Sequence, residues 1–147
     1  GLVAERVRDA VGGTPFVIKV GHVTDPEQAS RLLEAVVPYV DAIAMTNSVA
    51  ASVRLPDGNL EFDGQRRGIC GAATLNASLE QTRLFADLVH SGEHDVGLVG
   101  VGGASSADDV SSYLAAGAES VHIATAAMVD PMVAQRIRAD WGSRHGC

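Results

Sequence analysis

The sequence predicts an α/β fold with four parallel (β/α) units that follow one helix. Two observations support this prediction: apolar runs rich in Val and Ile alternate with amphipathic segments, and two of those segments begin with clear capping residues. Strands that alternate with helices are joined by right-handed crossovers and lie parallel. Four such units suit either a small doubly wound sheet or half of a (β/α)8 barrel, which needs about 250 residues for all eight.

The first half of the chain contains two of these units. Apolar residues at helical spacing predict a helix over residues 2–11. A β-branched run predicts a buried strand over residues 15–20. Residues 24–27, Thr-Asp-Pro-Glu, begin a second helix that Pro38 ends, and residues 40–47 form the next strand. The predicted inward face of the first helix consists of Leu2, Val3, Val7, Ala10 and Val11.

The second half repeats the pattern after an irregular stretch over residues 48–75. Long stretches without periodicity are usually functional in compact domains. A Ser-Ser-Ala-Asp-Asp sequence at residues 105–109 is typical of a capped helix start with acids in the first turn. The predicted elements are a helix at 78–90, a strand at 95–101, a helix from 105 to 117, a strand at 120–125 and a helix at 131–141.

Composition and charge exclude several function classes. The 147 residues, 46% of them hydrophobic, are too apolar for a disordered tail. A net charge of −7 argues against a surface for nucleic acid or anionic membranes. No apolar run reaches the roughly 18 residues that a membrane span needs, and no signal peptide pattern opens the chain. Cys70 and Cys147 do not suggest a disulfide framework, so we expect a cytoplasmic location.

Two features indicate that the chain is a piece of a longer protein. It has no initial Met, and a helical pattern is already under way at Leu2. Four (β/α) units amount to about half of a barrel. We therefore expect one partial barrel domain over residues 1–147. A half-barrel leaves its sheet edges and inner face open, which predicts association into homo-oligomers or a rearranged sheet.

Candidate ligand-binding residues lie at the predicted carboxyl ends of the strands, where parallel α/β folds bind their ligands. Lys19 interrupts an apolar run, and a buried unpaired lysine is costly, so it should meet an anion or an open cavity. The alternative is an edge strand with Lys19 in solvent. Residues 46–48, Thr-Asn-Ser, offer three hydrogen-bonding side chains. Asn47 suits a planar amide or imide ligand, or else forms a turn.

Two later turns suggest a phosphate site. Residues 100–103, Gly-Val-Gly-Gly, precede the capped helix, where backbone N–H groups can approach an anion. An ordinary tight turn is the alternative. Ala124 and Thr125 end the next strand, and two neighbouring late loops of a barrel commonly hold a phosphate.

Other titratable residues have simpler interpretations. His90 and His94 are four positions apart, but Gly92 between them favours a surface pair, so we expect no metal site. Cys70 is interpreted as a packing residue, and His122 as part of a strand core.

Five segments of the chain follow one another in a recognisable order: Pro15–Lys19, Thr46–Ser48, Gly68–Gly71, Gly100–Asp109 and Ala116–Ala126. Together they resemble the dihydroorotate dehydrogenase family. The resemblance implies a (β/α)8 barrel, of which this chain is the C-terminal half, that binds FMN. It also implies oxidation of dihydroorotate to orotate in pyrimidine synthesis, with hydride transfer to flavin N5.

The resemblance also implies roles for individual residues. Lys19 would contact the flavin ring on its N1–C2=O side and stabilise negative charge there. Thr46 would touch the flavin, whereas Asn47 and Ser48 would hydrogen-bond the pyrimidine substrate. The Ser or Cys base would come from the other half of the barrel, so we expect no turnover from the isolated chain. The residues implied to line the FMN and its phosphate are Gly71, Gly102, Gly103, Ala124 and Thr125.

Three departures from the family pattern keep other functions open. Cys70 replaces the usual Gly or Ser, Ala124 replaces a frequent Gly, and residues 48–67 have no clear counterpart. One alternative is a half-barrel that binds a phosphate ligand without redox activity. Another is a different flavin barrel, such as a dihydropyrimidine dehydrogenase-like or dihydrouridine synthase-like enzyme. The acidic charge disfavours the RNA substrate of the latter.

Overall fold

The computed structural model describes residues 1–145, in which four strands form a parallel sheet. The strands in chain order are β1 (Val17–Lys19), β2 (Ala42–Met45), β3 (Val49–Ala51), β4 (Arg67–Ile69), β5 (Gly97–Val101) and β6 (Ser120–His122). The parallel sheet has the order β1-β2-β5-β6. Because this order never reverses along the chain, it excludes the doubly wound alternative and agrees with part of a barrel.

Helices connect the parallel strands at the predicted places, with one addition. β6 ends earlier than the predicted strand over residues 120–125 because Ala124 leaves the extended conformation, with φ −123° and ψ −78°. Thr125 then begins a short helix that has no counterpart in the sequence prediction. The α-helices are α1 (Leu2–Val11), α2 (Pro26–Val36), α3 (Leu75–Ser91), α4 (Ala107–Ala115), α5 (Thr125–Val129) and α6 (Val133–His145).

Side-chain capping accounts for the start of α2 and of α4. The Asp25 carboxylate accepts a hydrogen bond from the Glu27 N–H at 3.1 Å, ahead of a proline in the first turn. Ser106 and Asp109 form a capping box, in which each side chain accepts from the other residue's N–H at 3.0–3.1 Å. Both starts agree with the sequence prediction.

The main core lies between the sheet and the pair α2 and α3. Ile43 and Met45 of β2 and Leu98 of β5 belong to one cluster with Leu33 of α2 and Phe85 of α3. Each of these five side chains is at most 3% exposed. Burying five large apolar side chains contributes on the order of 1.5–3 kcal/mol each, so this contact fixes the sheet against its helices.

The opposite face of the sheet is thinly covered. Ala44, Val99 and Val101 form a small cluster there, but Val17 is 49% exposed and His122 is exposed. The prediction of a buried first strand is therefore wrong for this face. Val17 and Lys19, the two β1 side chains on this face, are both exposed.

Helix α1 forms as predicted but does not bury the predicted face. Ala4 is its buried residue, whereas Leu2 and Val3 are 69% and 78% exposed. Arg8 attaches the helix to the start of β2, because its guanidinium donates to Asp41 Oδ2 at 2.6 Å. A polar contact thus replaces the expected apolar one.

Residues 48–75 hold more structure than their irregular sequence suggests. β3 and β4 pair antiparallel, with Val49 opposite Ile69, and the Arg66 guanidinium donates to the Ala50 carbonyl at 2.6 Å. Two short turns complete the segment: one over Glu61–Gly64, in which Phe62 and Asp63 have positive φ, and a 3-10 turn over Ala72–Thr74. Strands of three residues are too short to produce a detectable sequence period, which explains why the hairpin escaped prediction.

Candidate functional site

A cavity of about 460 Å³ opens at the carboxyl ends of the four parallel strands. Its volume lies within the range of about 300–1,000 Å³ that is common for small-molecule sites. The exit of the β3–β4 hairpin and the segment from α5 to α6 complete its walls. The strand-end residues that line it are Lys19, Asn47, Val101–Ser105, His122 and Ala124–Ala126.

Most of the residues predicted from sequence meet in this cavity. The predicted residues that line it are Lys19, Asn47, Gly71, Gly102, Gly103, Ala124 and Thr125. Thr46 and Ser48 are not among the lining residues. Thr46 is 2% exposed and donates its hydroxyl hydrogen to Gln81 Oε1 at 2.5 Å. The Ser48 hydroxyl lies against β4, since a Cβ added to Gly68 would come within 2.9 Å of it.

Lys19 brings a cation to the cavity from the edge strand of the sheet. It pairs with Ala44 of β2 and is exposed. Both sequence interpretations of Lys19 therefore apply, because it faces a cavity and also lies on an edge strand. It is the single lysine of the sequence.

The turn after β5 has a shape that requires glycine. Gly102 and Gly103 have φ values of 134° and 76°. A Cβ on Gly103 would lie 2.8 Å from the Leu75 backbone nitrogen, and one on Gly102 would collide with the Ser78 hydroxyl. The turn is therefore packed on the start of α3, and its bare backbone allows a ligand to approach closely.

Tyr113 of α4 also contacts this turn. Its hydroxyl donates to the Gly102 carbonyl at 2.6 Å, and its ring is fully buried against Gly100. Burial raises the pKa of Tyr113 above its ordinary value of 10.0; the Ser78 hydroxyl opposes this shift and the Asp109 carboxylate adds to it. The phenol thus remains a donor at neutral pH.

The hairpin exit and the end of β6 share one wall of the cavity. Gly71 has a φ of 77°, and a Cβ there would lie 3.1 Å from Thr125 Cγ2. Thr74 is 3% exposed, and its hydroxyl donates to the Gly71 carbonyl at 2.9 Å. This bond fixes the glycine beside Thr125.

Sequence reasoning missed several lining residues. The interpretation of His122 as a core residue is wrong, because it pairs with Val101 on the thinly covered face of the sheet and is exposed there. Cys70 lines the cavity as an exposed thiol instead of a packing residue. Asp130 and Arg136 line it as an ion pair. No motif marks this pair, since only the turn between α5 and α6 brings it to the cavity.

The described residues carry no sign of a metal site or a membrane span. In the part of the chain that the structure describes, no three His, Cys, Asp or Glu side chains group as metal ligands. In the same part, no helix has the length and apolar character that crossing a membrane requires. Cys147 lies outside the described residues.

Comparison with known proteins gives a consistent result. A family model described as "Dihydroorotate dehydrogenase" matches residues 4–144. A dihydroorotate dehydrogenase from Dictyostelium discoideum is 29% identical over 126 residues, which are 83% of this chain and 34% of that protein. The catalytic subunit of dihydroorotate dehydrogenase B (NAD(+)) from Solidesulfovibrio magneticus is 30% identical over 139 residues, which are 93% of this chain and 43% of that protein. The chain thus spans less than half the length of these curated relatives.

Solved structures share the fold. A crystal structure of ligand-free DHODH from Eimeria tenella matches with a TM-score of 0.70 and 18% identity, over 88% of this chain and 36% of that one. A structure of the same enzyme in complex with ferulenol also matches with a TM-score of 0.70 and 18% identity, over 85% of this chain and 32% of that one. The four-stranded parallel sheet therefore resembles part of a larger fold.

Proposed function

The chain belongs to the dihydroorotate dehydrogenase family, and from this premise we propose that its cavity holds FMN and the pyrimidine ring of dihydroorotate. As part of a partial barrel domain over residues 1–147, it would serve the oxidation of dihydroorotate to orotate in pyrimidine synthesis. The observation that carries the proposal is the meeting of seven separately predicted residues in one cavity.

The donor groups of the cavity fit FMN. The ligand carries a dianionic phosphate at one end and a planar ring with carbonyl and N–H groups at the other. The cavity offers glycine backbone at positive φ in Gly71, Gly102 and Gly103, which suits a phosphate. It offers an ammonium and an amide in Lys19 and Asn47, which suit the ring system.

These groups define two ends of the cavity. We call the part lined by Lys19 and Asn47 the ring end. We call the part lined by the three glycines and residues 124–125 the phosphate end. At the phosphate end, Thr125 offers a hydroxyl as well as its N–H, and Arg136 offers a guanidinium whose charge is balanced by its ion pair with Asp130.

At the ring end, each side chain has a definite task in the proposed reaction. The oxidation removes a proton from one carbon of dihydroorotate and a hydride from its neighbour, which leaves a C=C bond. A bound FMN supplies the acceptor for that hydride. Lys19 stabilises negative charge at the N1–C2=O edge of the ring. Asn47 hydrogen-bonds the pyrimidine. The family resemblance also assigns ligand contacts to Thr46 and Ser48, but neither side chain lines the cavity in this chain.

The proton needs a base that the proposal does not assign within this chain. A Ser or Cys from the rest of the barrel is the expected base. We therefore expect the chain to bind flavin in the cytoplasm without turning substrate over alone. We further propose that copies associate through the edges of β1 and β6, which pair on one side only.

Titration of the purified chain with FMN, riboflavin and inorganic phosphate tests the proposal. We expect FMN to bind with quenched flavin fluorescence, and Lys19→Met to weaken FMN and riboflavin alike because it removes the cation of the ring end. Arg31→Met is the matched control. Arg31 is a cation with a side chain that is 67% exposed on α2 and does not line the cavity.

The outcomes separate the candidate functions. Binding of phosphate with no affinity for either flavin would support the alternative of a phosphate-binding half-barrel without redox activity. Flavin binding combined with a preference for a different pyrimidine would favour a dihydropyrimidine dehydrogenase-like function. Failure to bind any of the three ligands would overturn the proposal. Light scattering tests association, and a strict monomer would contradict it.

A further inference from the structure

Gln81 is a buried polar residue of α3 that bonds to two different strand ends. It is 2% exposed. Its amide nitrogen donates to the Gly21 carbonyl at 2.8 Å, and its amide oxygen accepts from the Thr46 hydroxyl at 2.5 Å. An amide side chain offers a donor and an acceptor together, and burying either one unpaired is costly. Both groups of Gln81 are therefore paired, each with a different loop.

The two loops carry the residues of the ring end. Gly21 follows Lys19 by two positions, and Thr46 directly precedes Asn47. The Thr46 N–H also donates to the Val101 carbonyl at 2.6 Å. One chain of hydrogen bonds thus runs from the end of β1 through Gln81 to the ends of β2 and β5.

Few other hydrogen bonds hold the backbone at the end of β1, although the side chains of Val20 and Val23 are buried in the main core. The strand has three residues and lies at the edge of the sheet, so its ladder bonds come from β2 alone. Beyond Lys19, the Val20 N–H donates to the Ala44 carbonyl at 2.9 Å. Gln81 supplies a second attachment one residue later, through Gly21.

Thr82, the next buried polar residue of α3, does not reach across to the strands in this way. The Thr82 hydroxyl donates to the Ser78 carbonyl at 2.9 Å, inside the helix. Gln81 does not line the cavity, so it is not a ligand residue itself. The structural role of Gln81 is therefore to connect the loop at Gly21 with the loop at Thr46.

We propose that Gln81 is a positioning residue that sets the separation of Lys19 and Asn47 and thereby shapes the ring end of the cavity. The identity of the ligand rests on the proposed function. The separation itself does not, because it follows from the bonds to Gly21 and Thr46.

Gln81→Met tests the proposal, because it keeps the length of the side chain and removes both bonds. We expect about a tenfold loss of affinity for riboflavin and for FMN, with the affinity for inorganic phosphate unchanged. Thr82→Val is the matched control: it removes a neighbouring buried hydroxyl of the same helix, and it should leave all three affinities at the wild-type value.

Combining Gln81→Met with Thr46→Val tests whether the hydrogen bond between Thr46 and Gln81 is responsible for the loss. Thr46→Val removes the hydroxyl that Gln81 accepts from, and we expect it to weaken riboflavin binding as well. The two residues share one hydrogen bond, and that bond can be lost only once. The fold-loss of riboflavin affinity in the double variant should therefore be smaller than the product of the two single-variant fold-losses. Losses that simply multiply would overturn the role of this bond.

Amide hydrogen exchange gives a readout that needs no ligand. In Gln81→Met, exchange should accelerate at the N–H groups of Val20 and Thr46, whose bonds connect β1 to β2 and β2 to β5. If these two amides exchange as in the wild-type chain, the proposal is overturned, whether or not flavin binds. A chain that binds no flavin but shows accelerated exchange would refute the proposed function alone. Equal losses for riboflavin and phosphate would also overturn the positioning role, because they indicate general destabilisation.

Discussion

The hydroxyl of Tyr113 donates a 2.6 Å hydrogen bond to the carbonyl oxygen of Gly102. This bond connects α4 to the turn that precedes it, while Leu75 at the start of α3 packs against Gly103 of the same turn. Two helices therefore hold the phosphate end of the cavity, as Gln81 of α3 holds the ring end. The two ends can be perturbed separately.

Tyr113→Phe should weaken FMN binding by about tenfold and leave riboflavin binding unchanged. The variant keeps the buried ring and removes the hydrogen bond to Gly102, so the turn loses one restraint where the phosphate would lie. Fluorescence titrations with the two flavins measure the difference. Tyr39→Phe is the control, because Tyr39 does not line the cavity and the same titrations should give wild-type affinities. An equal loss for both flavins would contradict this assignment.

Gly103→Ala should lower the free energy of unfolding by at least about 2 kcal/mol. The new Cβ would combine a φ of 76° with a distance of 2.8 Å to the Leu75 backbone nitrogen. Gly13→Ala serves as the comparison, since a Cβ there meets nothing within 4 Å and should change the value by less than about 0.5 kcal/mol. Urea unfolding measures both variants, and similar values for the two would refute the claim that this turn requires glycine.

Lys19 provides a direct test of ring-end occupancy because the sequence has no other lysine. Its amine should react readily with an acylating reagent in the free chain, since the residue is exposed. Added FMN should slow the reaction by blocking the cavity. Mass spectrometry of the labelled peptide measures the rate, and the amino group of Gly1 is an internal control. Protection of both amines to the same degree would speak against binding at the ring end.

The stability of the chain should fall in acid because of Asp41. A hydrogen bond from the Phe16 N–H, at 2.5 Å, and then the Arg8 guanidinium, at 2.6 Å, lower the pKa of Asp41 below its ordinary value of 3.8. A carboxyl with a lower pKa in the folded state favours folding while it is ionised. This contribution is fully present above the ordinary pKa and is lost as the pH falls through the folded pKa.

Urea midpoints recorded against pH measure this contribution. Asp41→Asn should flatten the acid limb of the profile, and Arg8→Met should flatten it in part because the Phe16 bond persists. An unchanged acid limb in Asp41→Asn would show that other carboxyl groups control the acid response.

Local pattern and topology were enough to predict the strand-end residues. Lys19, Asn47 and Gly102 each follow or interrupt an apolar strand run, and parallel strands bring their carboxyl ends to one edge. The position of a residue in such a run therefore predicts its position in the fold. The roles that the family resemblance assigns to these residues stay predictions.

The partners of these residues could not be predicted in the same way. Gln81 is 35 positions from Thr46 and 60 from Gly21, and nothing in a helical pattern marks a buried amide as a bridge. In the sequence, Tyr113 occupies an ordinary apolar position of α4, although its hydroxyl donates a hydrogen bond to the Gly102 carbonyl. The direction of such side chains depends on how each helix packs on the sheet, which the periodicity of one segment does not specify.

The order of strands in the sheet has a consequence for how the chain folds. Val17 of β1 pairs with Ala42, whereas Ala42 pairs with Gly97, which is 55 positions further along because the β3–β4 hairpin and α3 lie between them. The entropy of closing a loop grows only logarithmically, by about 0.6 kcal/mol for each doubling of length. The long excursion that forms one wall of the cavity is therefore inexpensive at equilibrium. The same excursion should slow folding. The pairing of β2 with β5 joins the residues that are most distant in sequence within this sheet, and we expect this step to limit the folding rate.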